Sequence, residues 1–513
     1  MKAAKPTAIF AAALLMISAA ACGKMTGDET PTDNEDKTVT AAESREESPK
    51  ETEADSSDDA AFDESSQEDS AADESSLPDT DKVEVNDAYP DITPIPEEAV
   101  NEITYLGDID ITMNFSDRRE PSAQAEMFGA FGGNIKFEGL DRNNKYDELA
   151  VRIISNSDIP DIVSFDSSAF PINAIKEIFQ PVDSLVDFDS PLWAETKSVA
   201  EGFALNGSHY AAPISLEPMA LVMYDGNVIE QEGLDDPYEL YLNGEWDWDS
   251  FGSLMEEFCS GGEGRYGVNG FFAEPLYLQT GKSVVGYRNG SFISNIADPD
   301  IARAHRFLRN LYDDELIDHS WYGNADDALK GGNVLFYSMG TWAMTDSTYS
   351  GIVGRNGLSG ELNYRMVPIP RDPMGDSMHT AANIEGFLWV NGSQASDAVK
   401  TWLECCRVYE CDEEFKAVRK EQFLENNPGW NYEMYEVLTE ASSFDNSPVF
   451  EYVNGISGEL AEPDEYSLTA ADKLIGSAYF TLADNAPTWE EIQNEYSDSL
   501  DEYIGNINSV IDN

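Results

Sequence analysis

The sequence is poor in several residue types, and each shortage argues against a class of function. It contains 5 cysteines and 4 histidines in 513 residues, too few for a disulfide scaffold, and the histidines form no His-Glu-x-x-His metal motif. Basic residues number 31 against 98 acidic ones, and the net charge of −67 argues against nucleic acid and anionic lipid as partners. Beyond the first residues, no run reaches the roughly 20 apolar residues of a membrane-spanning helix.

Motifs of catalysis are also missing. Gly281-Lys282-Ser283 resembles the end of a phosphate loop, but the glycine required five positions earlier is Leu276, and no Gly-x-Ser-x-Gly elbow occurs. Among 98 acidic residues a pair of carboxylates is always available, so such a pair does not indicate a glycosidase. We expect no enzymatic activity, no metal and no cofactor. A glycan-active enzyme and a surface receptor or adhesin stay open as alternatives.

The chain begins like a secreted protein. Lys2 and Lys5 precede an apolar run over residues 9–17, and three alanines lead to Cys22, which predicts a signal peptide over 1–21. The cysteine resembles the bacterial lipoprotein processing site, although the usual leucine three positions earlier is Ala19. The resemblance implies a diacylglycerol on Cys22 and a lipid-anchored protein on the extracellular face of the cell membrane. Ordinary cleavage that leaves Cys22 unmodified is the alternative.

An acidic, low-complexity segment follows, and we assign residues 22–100 to a disordered tether. Residues 25–100 hold 26 acidic and 4 basic side chains and only two aromatics, Phe62 and Tyr89. Such a segment buries too little apolar surface to offset its ordering entropy, and its like charges repel one another. A solvated spacer is favoured over a docking site for a basic partner.

Residues 101–513 form the globular part, in which short β-rich runs alternate with helical stretches. The pattern predicts strands over 103–106, 134–138 and 161–165 and helices over 123–131 and 146–154. This alternation indicates an α/β fold with a mainly parallel sheet. Of the cysteines in this part, Cys405, Cys406 and Cys411 lie on one predicted helix; free thiols are favoured over a disulfide for these and Cys259.

Several short motifs in this part resemble family 1 extracellular solute-binding proteins, the group that includes maltose-binding protein. Each motif alone is weak, but they occur in the family's order over about residues 146–500. They are YDEL at 146–149, IPDIV at 159–163, GSHYAAP at 207–213, LVMYD at 221–225, EWDWDSF at 245–251, SMGTWAM at 338–344, VPIP at 367–370 and TWEE at 488–491. Asp249 or Ser250 would cap the helix that begins within EWDWDSF.

The resemblance implies a two-lobed periplasmic-binding-protein type II fold whose lobes close over a ligand by hinge motion. The crossing strands would lie near residues 214–220 and 379–386. The first lobe would hold about 101–215 and 380–430, and the second about 218–378 with the C-terminal helices. The implied function is capture of a small solute, a sugar or oligosaccharide, and its delivery by a monomer to the permease subunits of an ABC importer. A peptide, a polyamine or another cation stays open as the ligand.

The resemblance also points to residues of the binding site. Trp342 matches the family's stacking position, with a core tryptophan as the alternative, and Glu217 matches a cleft carboxylate on the crossing strand, with an exposed hinge acid as the alternative. Aromatic faces and charged acceptors are what sugar rings require. Glu385 would border the second crossing.

A second group of candidate residues follows the predicted strand 161–165. Ligands of open α/β sheets lie at the carboxyl ends of strands, where Phe165, Asp166 and Ser168 are found. Phe165 matches a stacking aromatic of the maltose group, and Ser168 falls where that group has an aspartate; burial of Phe165 is the alternative. Trp246 and Trp248 are assigned to packing.

Overall fold

The computed structural model describes residues 89–114, 120–139, 145–345, 358–359, 361–375, 377–464 and 467–512. The predicted signal peptide, Cys22 and the predicted tether as far as residue 88 lie outside the described residues. Within the described ranges, no helix is long and apolar enough to cross a membrane.

The strands lie between Glu102 and Val390. They are β1 Glu102–Gly107, β2 Asn134–Gly139, β3 Ile162–Ser164, β4 Phe179–Gln180, β5 Ala204–Leu205, β6 Ser208–His209, β7 Ala211–Pro218, β8 Leu221–Asp225, β9 Tyr266–Gly270, β10 Val285–Arg288, β11 Ser291–Ser294, β12 Val334–Met339, β13 Tyr364–Pro368 and β14 Ala382–Val390. The strands predicted over 103–106, 134–138 and 161–165 are confirmed by β1, β2 and β3.

The helices cover both sheets and the C-terminal part of the chain. They are α1 Ala123–Ala130, α2 Lys145–Ser155, α3 Ile172–Ile175, α4 Lys197–Glu201, α5 Gly226–Glu232, α6 Pro237–Leu242, α7 Trp248–Ser260, α8 Ala273–Tyr277, α9 Pro299–Asp313, α10 Ala325–Leu329, α11 Ser396–Cys411, α12 Glu413–Asn426, α13 Tyr432–Ala441, α14 Val453–Ile456, α15 Ala470–Leu474, α16 Ala478–Thr481 and α17 Trp489–Ile511. The two predicted helices are confirmed by α1 and α2.

Two sheets organise the described chain. The first has the order β2–β1–β3–β14–β4, with β7 also paired to β14, and the second has the order β13–β8–β12–β9. Among the described strands, only β1–β2, β1–β3 and β12–β9 are parallel pairs, so the prediction of a mainly parallel sheet is wrong. The reason is that β14 enters the first sheet from the second and pairs antiparallel with β3, β4 and β7, as β8 does with β12 and β13.

The described chain passes between the two sheets at helix α12, whose Phe415 packs with the first sheet and whose Phe423 packs with the second, and at three further connections. The first leads from β7 to β8 through residues 219–220, and the second leads from β13 back to β14 through residues 369–381. The third follows α13, where the Thr380 amide donates to the Asn446 carbonyl (3.3 Å) and the Val449 amide to the Thr380 carbonyl (3.0 Å). The second and third connections therefore run side by side.

Helix α7 begins differently from its prediction. Its N-cap is Asp247, whose carboxylate accepts from the amides of Asp249 and Ser250 (both 3.1 Å), while the Ser250 side chain accepts from the Asp247 amide (3.0 Å). The assignment of the cap to Asp249 or Ser250 is therefore wrong, because Ser250 completes the reciprocal pair from the third helical position. Trp246 and Trp248 are buried, so their assignment to packing is confirmed.

Helix α11 packs on the first sheet and also holds the start of the described chain. Trp402, Cys405 and Cys406 are buried against strand residues such as Tyr105 and Phe387. The four described cysteines are free, as expected.

The segment 89–100 is fixed to helix α11 by polar and aromatic contacts. The Thr93 amide donates to the Glu404 carboxylate (2.6 Å), the Thr401 hydroxyl donates to the Thr93 carbonyl (2.7 Å), and the ring of Tyr89 stacks on Phe415 with centroids 5.9 Å apart. The segment is thus part of the half of the molecule that contains the first sheet. The assignment of residues 89–100 to the disordered tether is therefore wrong, because these contacts hold the segment on helix α11.

Candidate binding cleft

The paired strands β7 and β14 present a polar face where the two sheets meet. Ser215 lies opposite Glu385, and Glu217 lies opposite Asn383. Directly opposed residues, and residues two apart along a strand, share one face, so these four polar side chains point the same way. Glu217 and Glu385 are each only 1% exposed, which shows that the alternative of an exposed acid at Glu217 is wrong.

A turn after β12 approaches this polar face from the second sheet. Thr341, within the short 3-10 turn Thr341–Ala343, donates a hydrogen bond from its hydroxyl to the Glu217 carboxylate. Strand β12 runs parallel to β9, so this turn and Phe271 lie at the carboxyl-end edge of the second sheet. The edge at which α/β sheets bind ligands thereby meets the crossing strand.

Trp342 follows Thr341 and lies mostly within the hydrophobic core. It is 8% exposed and belongs to a cluster with Met339, Trp430 and Met434. A Cβ atom at Gly340 would lie 2.7 Å from Cδ1 of Trp342, so the indole can occupy this place only because residue 340 is a glycine. Most of the surroundings of Trp342 are therefore those of a core tryptophan, which was the alternative to a ligand-stacking position.

Sequence reasoning missed Trp321, the exposed aromatic side chain beside Trp342. The two indole rings have centroids 6.4 Å apart and an interplanar angle of 25°, and Trp321 also approaches Phe271 at 5.8 Å. Trp321 is 45% exposed, which leaves an aromatic surface open to solvent. The available signal was a Trp-Tyr pair within a short polar loop, but only the fold brings that loop to Trp342.

The loop after β3 is held by contacts within the protein. Phe165 packs edge-on against Phe203 with centroids 4.9 Å apart. The Asp166 carboxylate forms an ion pair with Lys145 and accepts from the hydroxyls of Tyr146 (2.7 Å) and Ser168 (2.6 Å). Burial acts to raise the pKa of Asp166, but the Lys145 ammonium and these hydrogen bonds hold it below its ordinary value. Phe165 is thus buried, and direct ligand contacts by Asp166 and Ser168 stay a prediction.

Further acidic residues that sequence reasoning did not identify follow β1. Asp108 and Asp110 lie at the carboxyl end of this strand, beside the loop after β3, because β1 and β3 are parallel neighbours. Burial raises the pKa of the Tyr105 hydroxyl above its usual range, and the carboxylates of Asp108, Glu385 and Asp110 raise it further. The first sheet therefore contributes negative charge to the region that also contains Glu385.

The structure gives these residues no metal-binding arrangement. Over the described ranges, no group of three or more His, Cys, Asp or Glu side chains could hold a metal ion. The residues that meet here are a set of carboxylates, one amide, one Ser hydroxyl and an exposed indole. Such a set can accept hydrogen bonds and offer an aromatic face to a ligand.

Comparisons with known proteins agree with this architecture. Residues 125–410, more than half of the chain, match the model of the family described as bacterial extracellular solute-binding protein. No curated protein matches the sequence.

Solved structures with a similar fold include three with different ligands or roles. The sugar-binding protein MalE from Xanthomonas citri shares 14% identity (TM-score 0.57; 80% of this chain, 99% of that one). The galacto-N-biose/lacto-N-biose I-binding protein from Bifidobacterium longum shares 14% identity, with a TM-score of 0.54 over 80% of this chain and 99% of that one. UgpB from Mycobacterium tuberculosis, bound to glycerophosphocholine, shares 14% identity, with a TM-score of 0.53 over 79% of this chain and 99% of that one. At these identities the similarity establishes the fold, a two-lobed mixed α/β binding protein.

Proposed function

The chain belongs to the bacterial extracellular solute-binding proteins, and from that premise we propose that it binds an oligosaccharide and delivers it to an ABC importer. One lobe is built on the first sheet and the other on the second, and the ligand is held between them when the connections between the lobes bend. The protein acts as a monomer and has no catalytic role. Two further matched structures are described as a transporter-associated binding protein in complex with β-1,6-galactobiose and a cyclo/maltodextrin-binding protein in complex with maltotetraose.

The observation that carries this proposal is a continuous set of contacts from an exposed aromatic ring to a buried carboxylate. Trp321 lies against Trp342, and the neighbouring Thr341 donates to Glu217 on the crossing strand. A sugar ring has apolar C–H faces and hydroxyls around its edge, so it requires an aromatic surface and charge-assisted acceptors at close range. Both are present within this short chain of contacts.

The candidate residues divide between direct contact and support. Trp321 stacks on a sugar ring, and Trp342 holds Trp321 in place from the core side. Glu217 and Glu385 accept hydroxyl hydrogen bonds at the base of the cleft. On the first lobe, Phe165, Asp166 and Ser168 keep the loop after β3 in position. Of these three, Ser168 is the residue that would make a polar contact with the ligand.

A cationic solute is the second candidate, because carboxylates dominate the same region. Asp108, Asp110, Glu217 and Glu385 all lie on or beside the cleft strands, and each would attract a polyamine. The two ligand classes are distinguished by salt. Binding of a polyamine weakens steeply as ionic strength rises, whereas sugar binding changes little.

The test of the proposal is a thermal-shift screen of the full chain against oligosaccharides and spermidine. A ligand at a hundred times its dissociation constant stabilises the protein by about 2.7 kcal/mol. Glu217→Gln, which keeps the shape and removes the charge, should abolish most of the shift, whereas Glu257→Gln on the exposed side of α7 should not. A shift with spermidine alone, or release of new reducing ends from the sugars, would contradict the proposal.

The location of the protein is proposed from its first residues. We infer that Cys22 carries a lipid, including palmitate, and that residues 22–88 let the binding domain stand away from the membrane on the extracellular face. Cys22→Ser should release the protein into the medium with its ligand affinity unchanged. Retention of that variant on carbonate-washed membranes would contradict the lipid anchor.

A further inference from the structure

A cavity of about 330 Å³ lies where three of the connections between the lobes come together. Its walls include Ala220 from the first connection, His379 from the second and Asn446 from the third. Because these three connections contribute to its walls, a rotation of one lobe relative to the other changes the shape of the cavity.

This cavity is separate from the candidate binding cleft. Successive side chains of a strand point to opposite faces, so Pro218, which lines the cavity, points away from the face that carries Glu217. The cavity lining includes neither Trp321 nor Trp342 nor Thr341. It therefore lies behind the hinge strands as seen from the cleft.

The lining combines apolar surface with polar groups at its edge. Pro218, Leu221 and Tyr241 supply apolar walls, and Arg371, His379 and Glu440 bring a guanidinium, an imidazole and a carboxylate. Apolar walls with a few converging polar groups are typical of small-molecule sites.

One polar group of the wall lacks a partner. Nδ1 of His379 is buried and makes no hydrogen bond to any residue that the structure describes. Burial of an imidazole nitrogen without a hydrogen bond is unfavourable, so a rearrangement of this wall that gave Nδ1 a partner would be favoured. Ser377 and Thr380 add hydroxyls beside it.

We propose that this cavity is a second binding site, for a single-ring polyol of monosaccharide size, and that its occupant shifts the hinge equilibrium. The volume is at the lower end of ligand pockets, which fits one ring and not an oligosaccharide. A polyol ring presents apolar faces to Pro218 and Tyr241 and hydroxyls to His379 and Glu440. A ligand that fits one lobe angle better than another changes the population of that angle, and with it the affinity of the cleft.

Hydrogen exchange tests the site with glucose, galactose and myo-inositol as probes. At nine times its dissociation constant, a bound probe should slow exchange through local opening about tenfold, in residues 218–221, 377–381 and 442–446. Ser377→Trp, an exposed change at the wall, should remove this protection, and Ser184→Trp, the same change on an exposed loop elsewhere, should keep it. Protection confined to residues 341–345 and 383–385, or none at the highest soluble concentration, would overturn the proposal.

Glu217→Gln separates this site from the proposed function. In that variant the cleft is impaired, so protection around the cavity should persist while protection at residues 341–345 is lost. A change in the radius of gyration on adding the polyol to Glu217→Gln, absent when Ser377→Trp is added, would support the link to the hinge. An unchanged radius under saturating polyol would overturn that link.

Discussion

The stacked tryptophans allow a prediction in which one residue governs affinity and its neighbour governs stability. Trp321 is 45% exposed and Trp342 only 8%, although their rings are 6.4 Å apart. Truncation of a buried tryptophan to alanine costs about 3–5 kcal/mol of folding free energy, because packing is lost and a cavity remains. We therefore expect Trp342→Ala to lower the free energy of unfolding by most of that amount. Because Trp321 is half exposed, Trp321→Ala should lower it by only about 1–2 kcal/mol.

Affinity should follow the opposite order. An exposed aromatic that stacks on a ligand commonly contributes about 2 kcal/mol or more, roughly thirtyfold in dissociation constant. Trp321→Ala should show this loss, and Trp321→Phe should restore part of it, because a smaller ring keeps the apolar face.

The assay has two steps on each variant. Urea unfolding without ligand gives the free energy of unfolding, and calorimetric titration with the oligosaccharide found by thermal shift gives the dissociation constant. Affinity unchanged in Trp321→Ala would refute the role of the exposed ring. An unchanged free energy of unfolding in Trp342→Ala would show that Trp342 does not support the core. Trp342 would then again be the candidate for stacking on the ligand.

Three further predictions concern charged or titratable groups that are buried or half-buried. His305 stacks on Trp489 without a hydrogen-bond partner among the described residues, and burial lowers its pKa to about 3. The free energy of unfolding should therefore fall by up to about 1.4 kcal/mol per pH unit as the pH drops below 6.5. Urea midpoints at pH 7 and 4.5 should show this fall in the native chain and a smaller one in His305→Phe. Burial and the carboxylates of Glu451 and Asp472 raise the pKa of Glu274 to about 8. Because the unfolded chain ionises this group at lower pH, Glu274→Gln should become more stable than the native chain as the pH rises from 4.5 to 8. Equal stability of the two proteins at pH 8 would contradict this. Arg407 is buried and donates to the Ile214 and Leu192 carbonyls and to Glu195; Arg407→Met should cost about 3–5 kcal/mol in urea unfolding, while exposed Lys416→Met should cost little.

Local sequence patterns predicted several strands and helices of the first sheet correctly. Strands β1 to β3 and helices α1 and α2 follow from short apolar patterns that the tertiary structure does not override. The predicted cap of α7, Asp249 or Ser250, lies two or three residues too late, because Asp247 and Asp249 both suit an N-cap and only the reciprocal bond with Ser250 selects Asp247.

Long-range features were harder to predict. The direction of β14 depends on its arrival from the other lobe, which no local pattern encodes, and the third connection near Asn446 carries no motif. Glu217 was found through the family resemblance and is indeed at the crossing, but Trp321 becomes part of the site only because its loop packs on Trp342. The partners of Asp166, two of which lie on α2, were likewise invisible in the sequence.

The attachment of residues 89–100 to helix α11 has a mechanical consequence. A force applied at Tyr89 enters through the Thr93–Glu404 hydrogen bonds and the Tyr89–Phe415 stack, and so acts first on the half that contains the first sheet. The other half receives this force only through the connections between the lobes. Pulling at the start of the described chain therefore acts mainly on one half and leaves the other able to rotate in the closing motion.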